Sequence, residues 1–187
     1  MLSFDEIYQK VKETLSEKRF YHSKCVMDKC EELARIYNID VEKAKLAGIL
    51  HDIAKEIPKE NRIEVAERYG LELDEIEKKS KGLIHAKLGA KICEIDLSVD
   101  KEICDAIACH TTGKENMSML EKVLYISDAI GEDRNYSNTE ELRLLASTNL
   151  DKAIMCLLKL TIEERVKEEK LVHIDSIKAL NYLIIHS

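Results

Sequence analysis

The sequence predicts an all-α fold, a single helical bundle of about ten helices that takes in the whole chain, residues 1–187. Apolar residues recur at helical spacing with short breaks, and no period-two alternation is long enough to indicate a strand. One proline, six glycines and no tryptophan leave little material for a turn-rich β-sandwich. A chain of 187 residues, of which 45% are apolar, can bury one sizeable core without disulfide bonds.

The first three helices are predicted from their start signals. Ser3 and Glu6 form a capping box that opens the first helix, in which apolar residues make one stripe. The second helix is expected to start near His22. Asp40 is the expected N-cap of the third helix, which should end just after the pair His51-Asp52. That pair of polar residues is therefore expected at the C-terminal end of an apolar helix.

Proline and glycine delimit the next three helices. Pro58 suits the first turn of a fourth helix, and Gly70 closes it. A short fifth helix is predicted over residues 71–79. Gly82 separates it from a sixth helix, which contains Ile84 on its apolar face.

Capping signals also organise the rest of the chain. Asp100 is expected to cap a helix that ends near His110, and a loop follows over residues 111–114. Ser118 and Glu121 form a second capping box. Three further helices are expected around residues 139–147, 149–166 and 175–186.

Charge excludes some classes of partner. The chain has 29 Lys and Arg against 36 Asp and Glu, a formal net charge of −7. Such a chain has no general attraction for nucleic acid or for anionic membrane surfaces, so neither is expected as a partner. If it handles phosphates, it needs a local positive centre such as a metal ion.

The compartment is expected to be the cytoplasm. The N-terminal residues lack the basic region and apolar stretch of a signal peptide, and no apolar run approaches the roughly 18 residues that span a bilayer. The six cysteines contain no C-x-x-C pair. We therefore expect reduced, buried cysteines and no cysteine zinc site.

Histidines and aspartates at helix ends are the candidate site residues. His22, His51, His85, His110 and His173 lie at or near predicted helix ends, Asp52 follows His51, and Asp128 lies late in an apolar helix. A single histidine is more often a satisfied polar residue than a ligand. A buried carboxylate, however, is costly unless it is paired or binds a cation, and imidazole with carboxylate suits one or two divalent transition ions. The joint occurrence of these residues therefore indicates a metal site, which no single one of them does.

Several strings of residues occur together with these histidines. They are Arg19-Phe20-Tyr21-His22-Ser23, Ala47-Gly48-Ile49-Leu50-His51-Asp52-Ile53-Ala54-Lys55, His85 before Gly89-Ala90, Ala106-Ile107-Ala108-Cys109-His110-Thr111-Thr112-Gly113, and Ile126-Ser127-Asp128 followed by Arg134. Together they resemble the HD-domain metal-dependent phosphohydrolases and, more narrowly, the YqeK branch of that family. The resemblance covers about residues 19–182.

The resemblance implies a set of site residues. It assigns His22, His51, Asp52 and Asp128 to the primary metal, which is iron in this branch; manganese or another divalent transition metal is the alternative. His85 and His110 match positions that face the phosphates or complete a second metal site, so one or two ions are expected. Lys55, Thr111 and Arg134 match phosphate contacts. The matching loop that closes over the nucleotide consists of Leu171, Val172, His173, Ile174, Asp175 and Ser176.

The family reaction is the symmetrical hydrolysis of diadenosine tetraphosphate to two ADP. A divalent metal suits it, because the metal lowers the pKa of a bound water to about 7 and polarises a phosphoryl oxygen. Lys55 and Arg134 are expected to neutralise the phosphates. Asp52, Lys55, His85 and His110 are the expected catalytic residues, and His85 or His110 is expected to protonate the leaving nucleotide.

The chain also departs from the pattern of this branch. Relatives usually have Tyr-Ile-Glu-Pro where this chain has Ala129-Ile130-Gly131-Glu132, and a proline is common where Ile174 stands. These departures affect the pocket rather than the metal ligands. Two other functions stay open: an HD nucleotidase that acts on nucleotides or deoxynucleotides, and a non-catalytic nucleotide-binding sensor or adapter. An acidic helical domain of this size can also form a two-fold homodimer.

Overall fold

A computed structural model describes residues 2–187, and this part of the chain is all helical. It contains eleven α-helices and no β-strand, which confirms the predicted all-α class. The helices are α1 (Phe4–Thr14), α2 (Glu17–Ile36), α3 (Val41–Leu50), α4 (Arg62–Arg68), α5 (Glu75–Lys79), α6 (Ile84–Asp96), α7 (Lys101–Cys109), α8 (Met119–Ile130), α9 (Thr139–Thr148), α10 (Leu150–Lys167) and α11 (Ile174–Ile185).

Most of the predicted caps are formed. Both capping boxes, at the starts of α1 and α8, have their two reciprocal hydrogen bonds. The Asp40 carboxylate accepts a hydrogen bond from the Lys43 amide at 3.0 Å and caps α3. Asp100 occupies the N-cap position of α7, but its side chain makes no capping bond there. Local sequence therefore placed these helix starts, although it did not identify every bond.

The predicted start of α2 near His22 is wrong. The helix begins at Glu17, because the Ser16 hydroxyl accepts a hydrogen bond from the Arg19 amide. Ser16 is held in turn by Glu56, whose carboxylate accepts from the Ser16 amide at 2.6 Å. As a result, His22 lies in the second turn of α2 rather than at its end.

The predicted start of the fourth helix at Pro58 is also wrong. Residues 51–61 form successive turns, and α4 begins at Arg62. The buried Arg62 guanidinium donates to the carbonyl of Ile57 at 2.9 Å, and also to the carbonyls of Lys55 and, at 3.2 Å, of Lys81. These bonds satisfy carbonyls of the turns before α4 and before α6. They tie the segment after His51 to the turn before α6.

One buried apolar cluster extends through the bundle, from Ile7 in α1 to Leu183 in α11. Within it, α2 and α3 pack with their backbones in contact at Gly48. A Cβ atom on Gly48 would lie 2.6 Å from the Met27 Cα, closer than real Cβ contacts allow. This contact sets the His22-bearing helix beside the end of α3. None of the helices described is both long and apolar enough to cross a membrane.

Candidate metal centre and substrate cavity

Four histidines and two aspartates that are far apart in the sequence lie together at the centre of the bundle. They come from α2, α6 and α8, from the turns that follow α3, and from the end of α7. All are buried except for the Asp128 side chain, which is 24% exposed. We call them the donor cluster: His22, His51, Asp52, His85, His110 and Asp128.

The four predicted ligands of the primary metal converge at one end of the donor cluster. His22 Nε2 lies 3.0 Å from Asp128 Oδ1, and His51 Nε2 lies 3.8 Å from the same oxygen. His22, His51 and Asp128 each offer one atom, and these atoms lie within 4.8 Å of one another. Asp52 Oδ2 lies 3.5 Å from His51 Nε2. His22, His51 and Asp128 thus form one set of three donors, and Asp52 lies directly beside it.

The other end of the donor cluster contains His85 and His110. Their Nε2 atoms are 3.1 Å apart, and His85 Nε2 lies 3.0 Å from Asp52 Oδ1. His51, Asp52 and His110 again offer three atoms within 4.8 Å of one another. Asp52 thus faces both ends, with one carboxylate oxygen toward each.

Backbone carbonyls fix the tautomer of three of the imidazoles. In each of them Nδ1 donates to the carbonyl three residues earlier, so the neutral ring presents an Nε2 lone pair to the donor cluster. Two such lone pairs face each other between His85 and His110, an arrangement that a cation or a shared proton would stabilise. The carbonyl acceptors are Gly48 for His51 (2.7 Å), Gly82 for His85 (2.6 Å) and Ile107 for His110 (2.7 Å).

The donor cluster fits a divalent metal. His51 Nε2 and Asp52 Oδ1 are buried, and neither has a hydrogen-bond partner. Buried polar atoms without partners are costly, and they are rare in folded proteins. Both atoms accept and neither donates, so a bound cation would satisfy both at once. Imidazole nitrogen and carboxylate oxygen are also the donors that divalent transition metals prefer.

The charges of the donor cluster agree with this fit. Burial by itself would raise the pKa of the Asp52 carboxyl, but the nearby imidazoles outweigh it and hold that pKa well below its usual range. Burial likewise opposes ionisation of Asp128, and the contact with His22, together with the other imidazoles, keeps its pKa well below the usual range. Burial lowers the pKa of His85 to about 4. At neutral pH these groups are two carboxylates and a neutral imidazole.

A cavity of about 1380 Å³ opens onto the donor cluster. His85, His110 and Asp128 contribute to its wall, and basic side chains surround them. Lys55 Nζ lies 3.1 Å from His85 Nε2, and Arg134 Nη2 lies 2.7 Å from Asp128 Oδ1. The cavity is therefore locally positive although the whole chain is acidic. Its other lining residues include Arg19, Lys59, Thr111, Tyr136, Leu157 and Leu160.

Residues 19–144 match the family model of the HD domain, which is more than half of the chain. The chain belongs to the HD-domain family. Members of this family bind divalent metal, and the donor cluster supplies the histidines and aspartates for it. The chain is 35% identical to a symmetrical bis(5'-nucleosyl)-tetraphosphatase of Bacillus subtilis, over 93% of this chain and 94% of the relative.

Two further relatives of this HD-domain chain cover nearly its whole length. A symmetrical bis(5'-nucleosyl)-tetraphosphatase of Halalkalibacterium halodurans is 35% identical, over 95% of each chain. A solved structure from Clostridium acetobutylicum, described as a predicted HD superfamily hydrolase involved in NAD metabolism, is 38% identical. It superposes over 100% of both chains with a TM-score of 0.96.

The structure brings the expected phosphate contacts to the cavity of the HD domain, but not the expected closing loop. Lys55, Thr111 and Arg134 line the cavity, whereas residues 171–176 do not. His173 instead caps α11, since its Nδ1 accepts from the Asp175 amide, and its Nε2 donates to Asp74 Oδ2 at 2.9 Å. The expected role of Leu171, Val172, His173, Ile174, Asp175 and Ser176 as a closing loop stays a prediction.

Three residues at the HD site were not among the expected site residues. Arg19 donates to Asp52 Oδ2 at 2.9 Å, and it stands in the same local string as His22, so a sequence signal existed. Tyr136 is exposed at the cavity wall, where its hydroxyl accepts from Arg134 at 3.0 Å. Asp133 Oδ2 lies 2.7 Å from His22 Nδ1. No local pattern marks Asp133, because its partner is 111 residues away.

Proposed function

We propose that this HD-domain chain hydrolyses diadenosine tetraphosphate symmetrically, to two ADP. The observation that carries the proposal is the donor cluster, with its two buried atoms that lack partners, opening onto a cavity with basic walls. Hydrolysis of a polyphosphate needs both features: a metal cation at the attacked phosphorus and positively charged side chains along the remaining phosphates. The two tetraphosphatase relatives, each 35% identical over nearly the full length, support this choice of substrate.

The metal of the proposal is iron, held by His22, His51, Asp52 and Asp128. The mixed imidazole and carboxylate donor set supports iron, and it also accepts manganese. A second ion is proposed between His85 and His110, with Asp52 as the shared ligand. When bound, such a metal supplies Lewis acidity and lowers the pKa of a coordinated water.

The side chains of the cavity wall bind and orient the phosphates. Arg134 offers a planar guanidinium beside Asp128, where it can grip two phosphate oxygens, while Lys55 offers a point charge beside His85. Thr111 adds a hydroxyl on the same wall. These groups neutralise the substrate locally, which an acidic chain requires.

His85 and His110 have one free ring nitrogen each, because a carbonyl occupies Nδ1. The same Nε2 atom cannot hold a metal ion and deliver a proton to the leaving nucleotide. Burial lowers the pKa of His85 to about 4, so at neutral pH its Nε2 offers a lone pair. This supports His85 as a ligand. A second ion between His85 and His110 would take up both Nε2 atoms, so His110 is the candidate proton donor only in the form that holds the primary ion alone.

Three wider properties belong to the same proposal. The whole chain, residues 1–187, acts as one domain, which is supported by the buried cluster that runs from Ile7 to Leu183. The protein is cytoplasmic, which is supported by six cysteines that form no disulfide. The two-fold homodimer stays a prediction, which size-exclusion chromatography with light scattering would check.

Product identification tests the proposed function. The purified protein, reloaded with iron(II) or manganese(II), is incubated with diadenosine tetraphosphate in water enriched in ¹⁸O. We expect ADP as the only nucleotide product, with one ¹⁸O atom per two ADP. ATP with AMP would contradict symmetrical cleavage. A panel of mononucleotides assayed in parallel would reveal the nucleotidase alternative.

A matched pair of variants separates an enzyme from an adapter. Asp52→Ala removes the carboxylate that faces both ends of the donor cluster and should abolish turnover. Asp28→Ala removes an exposed carboxylate from α2, the helix of His22, and should leave turnover unchanged. If Asp52→Ala kept full turnover while folded, the donor cluster would not be the reacting centre.

A further inference from the structure

His22 is held differently from the other imidazoles of the donor cluster. His51 and His110 follow helix ends and His85 lies in a first turn, so each finds a backbone carbonyl outside the regular i to i+4 hydrogen-bond pattern. His22 lies in the second turn of α2, where the preceding carbonyls accept helical hydrogen bonds. The backbone therefore offers it no free acceptor.

Asp133 supplies the missing acceptor. This residue lies in the turn after α8, and its Oδ2 is 2.7 Å from His22 Nδ1. A carboxylate only accepts, so the hydrogen is placed on Nδ1 and the lone pair on Nε2. Nε2 also faces a carboxylate, Asp128 Oδ1 at 3.0 Å, but Arg134 Nη2 lies 3.3 Å from the same nitrogen and can donate to its lone pair. The lone pair of Nε2 therefore points into the donor cluster.

Gly131 gives the Asp133 carboxylate its room. A Cβ atom on Gly131 would lie 2.9 Å from Asp133 Oδ1, closer than real Cβ contacts allow. The backbone of Gly131 has φ −50° and ψ 159°, which any residue adopts, so only this contact disfavours a side chain there. Arg143 holds the turn, since its guanidinium donates to the carbonyls of Ile130, Gly131 and Arg134.

We propose that Asp133 is a positioning residue that fixes the tautomer and the orientation of His22, and that Gly131 is required for it to do so. The inference deepens the proposed function and rests on it in one respect, that His22 is a metal ligand. A carboxylate behind a metal-binding histidine keeps the ring oriented and raises its basicity. Residues behind ligands in this way typically change metal affinity by about 10- to 100-fold when they are replaced.

The first test measures the tautomer without metal and without substrate. Nitrogen-15 spectra of the metal-free protein, recorded with neutral imidazoles, should show the hydrogen of His22 on Nδ1. Asp133→Ala should move a measurable fraction of it to Nε2. Asp133→Asn keeps an oxygen acceptor and should largely retain the wild-type tautomer. An Asp133→Ala spectrum identical to that of the wild type would overturn the proposal.

The second test measures manganese(II) affinity by titration calorimetry. We expect Asp133→Ala to weaken it by about 10- to 100-fold and Asp133→Asn by less. Glu132→Ala, which removes the neighbouring exposed carboxylate, should leave the affinity unchanged. Equal affinities for Asp133→Ala and Glu132→Ala would reject a positioning role. Neither test uses turnover, so a wild-type protein that fails to cleave the tetraphosphate rejects the proposed function alone.

A double-mutant cycle with Gly131→Ala and Asp133→Ala tests whether Gly131 acts through Asp133. Gly131→Ala should weaken manganese binding in the wild-type background and have no further effect when Asp133 is already alanine. Independent, additive effects of the two substitutions would show that the glycine does not act through the carboxylate. Circular dichroism of each variant verifies that the helices are intact, and Asp133→Asn, nearly equal in size, tests the same role if Asp133→Ala unfolds.

Discussion

The two ends of the donor cluster differ in how one imidazole is oriented, since His51, like His85 and His110, is held by a local carbonyl and His22 is not. At the end with His85 and His110, each ring is held by a carbonyl three residues earlier in its own segment. At the end with His22 and Asp128, His22 is held by Asp133, a side chain 111 residues away. The first arrangement forms whenever the local turn forms. The second requires α2 and the turn after α8 to be assembled correctly.

This difference indicates where the site is robust and where it is vulnerable. A substitution on a distant element leaves the orientation of His85 or His110 largely unaffected, because their acceptors are local. The orientation of His22 depends on three things: the turn after α8, the space at Gly131, and the packing of α2 on the bundle.

The largest effect is expected from removing one imidazole at each end. His22→Ala and His110→Ala should each lower kcat/KM by about 10³-fold or more, since metal-ion catalysis contributes several kcal/mol. If the ends hold separate ions, each variant should retain about one ion per chain by plasma emission spectroscopy, against about two in the wild type. His186→Ala, at an exposed histidine, is the control. Loss of all metal in both variants would mean that the ends form a single site.

The next effect is a pH dependence of stability that arises from the burial of His85. Its pKa is lowered from 6.5 to about 4 in the folded, metal-free protein. Between these values the unfolded chain binds a proton that the folded chain excludes. The free energy of unfolding is therefore highest above pH 6.5 and falls by about 3 kcal/mol as the pH drops to 4.

Urea unfolding of the metal-free protein at several pH values measures this slope. His85→Gln should flatten it between pH 6.5 and 4.5, because glutamine does not titrate. The pKa values of Asp52 and Asp128 lie well below the usual range, so their contribution persists through this window and is lost only at lower pH. An unchanged slope in His85→Gln would contradict the assignment to this residue.

A smaller effect is expected where α2 and α3 touch. In Gly48→Ala the new Cβ would lie 2.6 Å from the Met27 Cα, so the two helices must separate. We expect a loss of about 2 kcal/mol in the free energy of unfolding, typical of overpacking. Manganese affinity should also weaken, because His22 and His51 lie on the separated elements. Gly82→Ala, where a Cβ meets nothing within 4 Å, should change neither quantity.

The smallest effect is expected from the two basic side chains that are proposed to bind phosphate. Lys55→Ala at one end and Arg134→Ala at the other should each raise KM by about tenfold, the loss of one charge-assisted hydrogen bond. Arg134→Ala should also lower kcat, because its guanidinium contacts His22 Nε2 at 3.3 Å and Asp128 Oδ1. Lys101→Ala, at an exposed lysine outside the cavity, serves as the control. Equal kcat values for Lys55→Ala and Arg134→Ala would contradict this expected difference between the two ends.

Sequence reasoning succeeded where the determining contacts are local. The capping boxes at Ser3 and Ser118 involve residues three apart, and both are formed. It failed at the start of α2, where Glu56 holds Ser16 across 40 residues. It failed again at Pro58, because the Arg62 guanidinium stabilises turns in place of a helix.

The donor cluster shows the same division. Its six members were expected from the family strings, and the structure brings them together. Nothing in those strings identified Asp133, because the contact with His22 exists only after α2 has packed beside the turn that follows α8. The absence of a side chain at Gly131 was noted in the sequence as a departure from relatives. That Gly131 leaves space for the Asp133 carboxylate could be seen only in the folded structure.

Asp52 has a consequence for any attempt to redesign this protein. Its Oδ1 faces His85 at 3.0 Å, and its Oδ2 faces His51 at 3.5 Å and Arg19 at 2.9 Å. One planar group cannot move toward one neighbour without withdrawing from another. If each end of the donor cluster holds an ion, selecting for a different metal at one end would therefore disturb the other end too. The two ends of the donor cluster therefore have to be altered together.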